Sequence, residues 1–212
     1  MKKLILVLAL GLVLGLSTFA WAGLTPISST YSEDGPSWIL INSGGILDTL
    51  FGWGNLTRID DDNDQLWNLA GYYAIELAKI AGYSQSLSAG SQLLFTDSGG
   101  SGWRYGPGVV ITEAGTFKFY NDPNNSGSPW SSDPLENSDQ GDHMVAWQIT
   151  GNAGYPNNYI GDYVVGWEDK PLAIADCDYN DLVVLFHVPE PTSMMLLGMG
   201  ILGLFGLRRK PA

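Results

Sequence analysis

Trp167-Glu168-Asp169, a short segment containing Pro171, and then Asp176-Cys177-Asp178-Tyr179-Asn180-Asp181 gather five carboxylates and one amide just before an apolar run. Asp176, Asp178 and Asn180 hold the first, third and fifth places of the alternating oxygen pattern of calcium loops. In a tight loop that spacing turns successive oxygens toward one point. Asp181 fills the sixth place, where an EF-hand needs Gly, and the twelfth place is His187, inside the apolar run. An EF-hand is therefore excluded. Two carboxylates ~4 Å apart repel by roughly 4 kcal/mol at an effective dielectric of 20. Converging acids thus need a divalent cation, a proton or separation. Calcium accepts six to eight oxygens with tolerant geometry and fits a mixed Asp, Asn and carbonyl loop. The alternative is a solvated turn whose Asp and Asn side chains cap the backbone.

A second acidic run, Asp60-Asp61-Asp62-Asn63-Asp64, repeats the alternation at Asp60, Asp62 and Asp64, followed by Gln65. It reads either as a second cation site or as the acidic start of a helix, where carboxylates complement the positive end. Asp139-Gln140-Gly141-Asp142-His143 carries one histidine and could take a transition metal, although no further soft ligand lies near in sequence. His143 reads more simply as the start of a strand. A nucleophilic role for Cys177, the single cysteine, is disfavoured, because neighbouring negative charge raises a thiol's pKa. Pairing within the chain is impossible; a loop-tip thiol could link copies through an intermolecular disulfide, whereas a partly buried one would be inert.

The elements that must position these acids are read from periodicity. Leu66, Leu69, Ala70, Tyr73, Leu77 and Ile80 recur at helical spacing among alanines, predicting one helix over 64–81 that ends at Gly82. Strands are predicted at Ser37–Ile41, Gln92–Phe95, Val109–Thr112, Phe117–Tyr120, Met144–Thr150, Tyr163–Trp167 and Leu182–Val188, separated by Gly, Asn, Asp, Pro and Ser. Glu113 to Thr116 reads as a hairpin joining two of them. Asn121 to Asp142 is a long polar segment of the kind that is usually functional or disordered. The architecture expected is mainly β: an antiparallel, jelly-roll-like β-sandwich with that one helix packed against it.

Both ends read as addresses. Lys2 and Lys3, the apolar run Leu4–Leu16 and Ala20-Trp21-Ala22 have the order of a secretory signal, predicting a signal peptide over 1–22. At the other end, Pro189-Glu190-Pro191 precedes an uncharged run closed by Arg208, Arg209 and Lys210. As a helix, Thr192–Leu207 spans roughly 24 Å, a little short of a ~30 Å hydrocarbon core, with the cations held on the cytoplasmic side. That leaves an ectodomain over 23–188, one domain's length. The whole chain has a formal charge of −12, and the ectodomain keeps five Lys and Arg against 21 Asp and Glu. Nucleic acid and anionic membrane surfaces are disfavoured as partners by repulsion; cations are the natural ones. Membrane contact is expected only through the C-terminal segment before processing.

The tripeptide, apolar run and basic end, about 25 residues in all, resemble the PEP-CTERM sorting signal of bacterial surface proteins. The resemblance implies an exosortase-type enzyme as a partner, cutting near Pro-Glu-Pro, and residence at the cell surface or in the extracellular matrix after transient anchoring in the inner membrane. Trp-Glu-Asp followed by Asp-x-Asp-Tyr-Asn-Asp also resembles, over 162–188 and less closely over 57–149, a family of exported bacterial domains of unknown function that accompany such tails. Mapped onto this chain, that family's metal-type acids are Glu168, Asp169, Asp176, Asp178 and Asp181, with Asn180 beside them. The chain departs from the pattern by placing Cys177 within the motif and by lacking a Gly-rich gap.

Three functional readings follow. The first is a non-catalytic exported protein, stabilised by calcium outside the cytoplasm and associated with exopolysaccharide or biofilm. The second is a carbohydrate-binding module presenting Trp103, Tyr105, Trp130 and Tyr155 from loops. The third is a glycosidase pairing Glu168 with Asp142. No nucleophile elbow, zinc-protease helix, P-loop or dinucleotide glycine pattern is present.

Overall fold

The computed structural model describes residues 46–151, 159–176 and 178–188. The signal-peptide segment, the strand predicted at 37–41, Tyr155, Cys177 and the tail from Pro189 onward lie outside the described residues.

Three apolar strands form the centre. They are β9 (Met144–Ile149), β10 (Tyr163–Trp167) and β11 (Leu182–His187). Their near-continuous Val, Leu, Trp and Phe content suits strands covered on both faces, and β10 and most of β9 and β11 are buried. They pair antiparallel, with Tyr163 opposite Phe186 and Trp167 opposite both Leu182 and Met144. The larger sheet runs β1 (Leu56–Arg58), β9, β10, β11, β2 (Tyr73–Lys79), and its far edge is completed by β5 (Gly102–Trp103) and β6 (Val109–Val110), both paired with β2. A smaller antiparallel sheet has the order β4 (Gln92–Asp97), β3 (Gln85–Ala89), β7 (Phe119–Asn121), β8 (Trp130–Ser131).

Alternation along the strands divides the core in two. Leu182, Val184 and Phe186 face the smaller sheet and pack with Leu87, Ala89, Phe119, Trp67 and Trp167. Val183 and Leu185 face the other way and join Val145, Trp147, Val164 and Leu77. On that outer face lies α1 (Ile46–Phe51), covering it with Leu47, Leu50 and Phe51. The mainly β, sandwich-like architecture is as expected, with a short helix packed against the larger sheet.

The helix expected over 64–81 is absent. Asp61–Asn63 is a single 3-10 turn, Trp67 bridges to Phe117, and Tyr73–Lys79 is strand β2. Gly71 stands at φ +90°, a left-handed conformation that interrupts a helix at once. Beyond it, pairing of β2 with Val183–His187 of β11 overrides the helical preference of the alanines. Nor is Glu113–Thr116 a hairpin turn, because β6 pairs with β2 in one sheet and β7 with β3 in the other. The segment is a crossover between sheets. No helix among the described residues is long and apolar enough to cross a membrane, and Thr192–Leu207 lies outside them.

Candidate metal centre

Antiparallel pairing of β10 and β11 carries the end of one strand to the start of the other. Trp167 faces Leu182, so the residues one step further, Glu168 and Asp181, meet at the sheet's rim. The Asp169 N–H then donates to Asp181 Oδ2 at 2.8 Å, closing the loop between them. Glu168, Asp169 and Asp181 are 0%, 5% and 6% exposed, and each places a carboxylate oxygen within 4.8 Å of the others. Glu168, Asp176 and Asp178 form a second such group, with Asp176 exposed and Asp178 half-buried. The motif acids therefore make two overlapping triads that share Glu168.

Several surrounding groups hold this arrangement. Gln85, on β3 of the opposite sheet, donates to Asp169 Oδ2 at 2.7 Å and itself accepts from Asn121 Nδ2 at 2.8 Å. Trp130 Nε1 donates to the Asp169 carbonyl at 3.1 Å, and its ring stacks on His143 at 3.7 Å between centroids. The Glu168 N–H donates to the His143 carbonyl at 2.9 Å, while Asp139 accepts from the Leu172 N–H at 3.0 Å and lies 3.1 Å from His143 Nε2. Tyr179 takes a left-handed φ of 51° and anchors the loop by donating from its hydroxyl to the Asp142 carbonyl at 2.9 Å. That turn points Asp178 and Asn180 to the same side, where Asn180 donates from its backbone and its amide to Asp178. Asn180 thus stands behind Asp178 through its amide. Tyr179 and Asn180 belong to the acidic motif itself, whereas Gln85, Trp130 and Asp139 carry no motif and reach the loop from distant elements.

The electrostatics match crowded, desolvated acids. Burial pushes the Asp181 carboxyl up to about 7 and Asp169 up to about 6, and each is raised further by the other acids. Glu168 and Asp178 are raised too, again chiefly by burial. Glu168 Oε2 and Asp169 Oδ1 are buried and accept no hydrogen bond from the described residues. A hard divalent cation supplies what such oxygens lack, so these residues fit an oxygen-ligated ion of the calcium class.

The second acidic run behaves differently. Asp60 and Asp62 are exposed whereas Asp64 is wholly buried, so the spacing does not bring the three together. The 3-10 turn over Asp61–Asn63 is the cause, since it fans successive side chains around its axis. Asp64 instead lies in the field of Asp142 and Arg58, and burial followed by Asp142 raises its carboxyl well above the ordinary range. Asp142 is pushed up to about 7, mainly by burial. His143 is buried against Trp130 and Asp139 at the head of β9, and it belongs to none of the metal-sized groups among the described residues.

The aromatic residues also separate. Trp130 is buried at 8% exposure, whereas Trp103 and Tyr105 are 46% and 50% exposed and stack with planes 8° apart and centroids 6.0 Å apart.

No curated protein and no solved structure matches the chain. Residues 187–210 match the PEP-CTERM protein-sorting motif, which implies an exported protein, transiently anchored through its C-terminus and processed by an exosortase.

Proposed function

We propose that this chain is a non-catalytic protein of the cell surface or extracellular matrix, whose terminal acidic loop is closed by calcium once the chain has left the cytoplasm. The observation that carries the reading is the pair of buried, unpartnered oxygens, Glu168 Oε2 and Asp169 Oδ1, set beside Asp181. Left ionised without a cation, these groups repel one another and forgo hydration; with one, the loop closes the rim of β10 and β11. External calcium then makes full folding a consequence of export. A strongly acidic ectodomain would meet exopolysaccharide either as a neutral polymer or through shared calcium.

The non-catalytic reading is supported by the positions of Glu168 and Asp142, which are both buried and answer to different charged neighbours. Isothermal titration of metal-stripped protein with calcium tests the proposal directly. Heat of binding that disappears in Glu168→Gln supports it, and a flat titration of the native chain contradicts it.

A second reading has its own observation. The exposed Trp103 and Tyr105 rings stack on one another, and an open ring face is the kind of surface on which a sugar ring packs. Trp103→Ala should abolish retention on an immobilised polysaccharide without changing the melting temperature. Equal retention of native and variant protein rejects a glycan role for this face.

A further inference from the structure

The terminal acids are too many and too spread for one ion. Calcium–oxygen bonds are about 2.4 Å long, so two oxygens on one ion lie at most about 4.8 Å apart. Glu168, Asp169 and Asp181 meet that limit, as do Glu168, Asp176 and Asp178, but the five do not form one group. Glu168 is common to both, is 0% exposed, and leaves Oε2 buried with no hydrogen-bond partner. Its other oxygen accepts from the Lys170 N–H at a long 3.3 Å, and the carboxyl lies beside that of Asp181. A carboxylate with two oxygens and about four lone-pair positions can bridge two cations.

Resting on the calcium reading above, we propose that the site is binuclear: an inner calcium ion among Glu168, Asp169 and Asp181, an outer one among Glu168, Asp176 and Asp178, and Glu168 bridging them. Charge balance supports two ions. Five carboxylates are offset by two divalent cations together with the Lys170 ammonium, which stands in the field of Asp176, Asp181, Asp169 and Glu168. One ion would leave net negative charge on a cluster whose Glu168, Asp169 and Asp181 are buried.

The two positions differ in kind. All three inner ligands are buried, whereas Asp176 is exposed and Asp178 half-buried. The inner ion is therefore shielded and slow to leave; the outer one keeps water in its shell and exchanges readily. Repulsion between two cations sharing one ligand makes the second step weaker than the first. The outer ion ties Asp176 and Asp178 to Glu168 and so acts as the calcium-sensitive part of the site.

Native mass spectrometry of the full chain in detergent, equilibrated with calcium, tests this. Two ions are expected per native chain and one per Asp176→Asn/Asp178→Asn chain. Stopped-flow release into a chelator should show a fast and a slow phase in the native protein and only the slow phase in that variant. A single bound ion with single-phase release overturns the binuclear site and leaves the calcium reading standing. No bound ion overturns both.

Discussion

The backbone N–H of Asp169 donates to Asp181 Oδ2 at 2.8 Å across twelve residues of chain, and the two carboxylates lie within 4.8 Å of each other. The hydrogen bond fixes the geometry and the negative charges oppose it. A divalent ion removes that conflict; so does loss of a charge.

Asp181→Asn separates the two effects. Its side-chain carbonyl still accepts from Asp169, while one buried charge is gone. In chelator at pH 8 the variant should melt at or above the native temperature, and its calcium affinity should fall at least about tenfold, near 1.4 kcal/mol. Differential scanning calorimetry with and without calcium checks both. A variant that melts lower in chelator yet keeps its calcium response would contradict the account.

The pH dependence has a definite sign. Asp169 and Asp181 are raised to about 6 and about 7 by burial, above the ordinary ~4 of an aspartate. A raised carboxyl favours the folded state while protonated, so that contribution is fully present below about pH 4 and is lost as pH rises through 6 and 7. Asp142 and Glu76, raised to about 7 and about 8, add to the same trend. Metal-stripped protein should therefore melt lower at pH 8 than at pH 5. Calcium should reduce the decline, and its affinity should rise over that window as protons leave. Melting curves of stripped and loaded protein between pH 5 and 8 measure this.

A second acidic pair has one member on β2, where Glu76 stands opposite Val184 of β11. Glu76 on β2 is raised to about 8 by burial and then by Asp97, while Arg104 pairs with Asp97 and lies 3.9 Å from Glu76. Glu76→Gln should stabilise the protein at pH 9 by on the order of 1 kcal/mol, about 3 °C in a domain of this size, and change little at pH 5. Thermal melts at the two pH values check it.

The inner core makes a simpler demand. Phe119 and Phe186 are fully buried and stack at 4.4 Å with planes 9° apart, joining the two sheets. Phe186→Ala should cost about 3–5 kcal/mol, read from urea unfolding with calcium present. A loss under about 1 kcal/mol would mean that the sheets do not pack face to face here.

Legibility in the sequence followed local chemistry. Met144–Ile149, Tyr163–Trp167 and Leu182–His187 were visible as strands because both of their faces are buried and their residues are continuously apolar. Their adjacency is also why acids at 168–169 and 176–181, separate in sequence, arrive at one rim. Tyr73–Lys79 carried helix-like spacing, and only Gly71 and the pairing with β11 decide it as a strand. Asp60 and Asp62 looked like ligands by spacing alone, which a single 3-10 turn undoes. Gln85, Trp130, His143 and Tyr179 went unread as supports for the site, since their roles exist only through contacts between distant segments.

Calorimetry of the native protein, once in excess chelator and once in millimolar calcium with bound metal counted in parallel, reads whether the buried acids need a cation. A higher melting temperature and bound calcium are expected in the second sample. Identical melting in both, with no metal retained, would contradict that need.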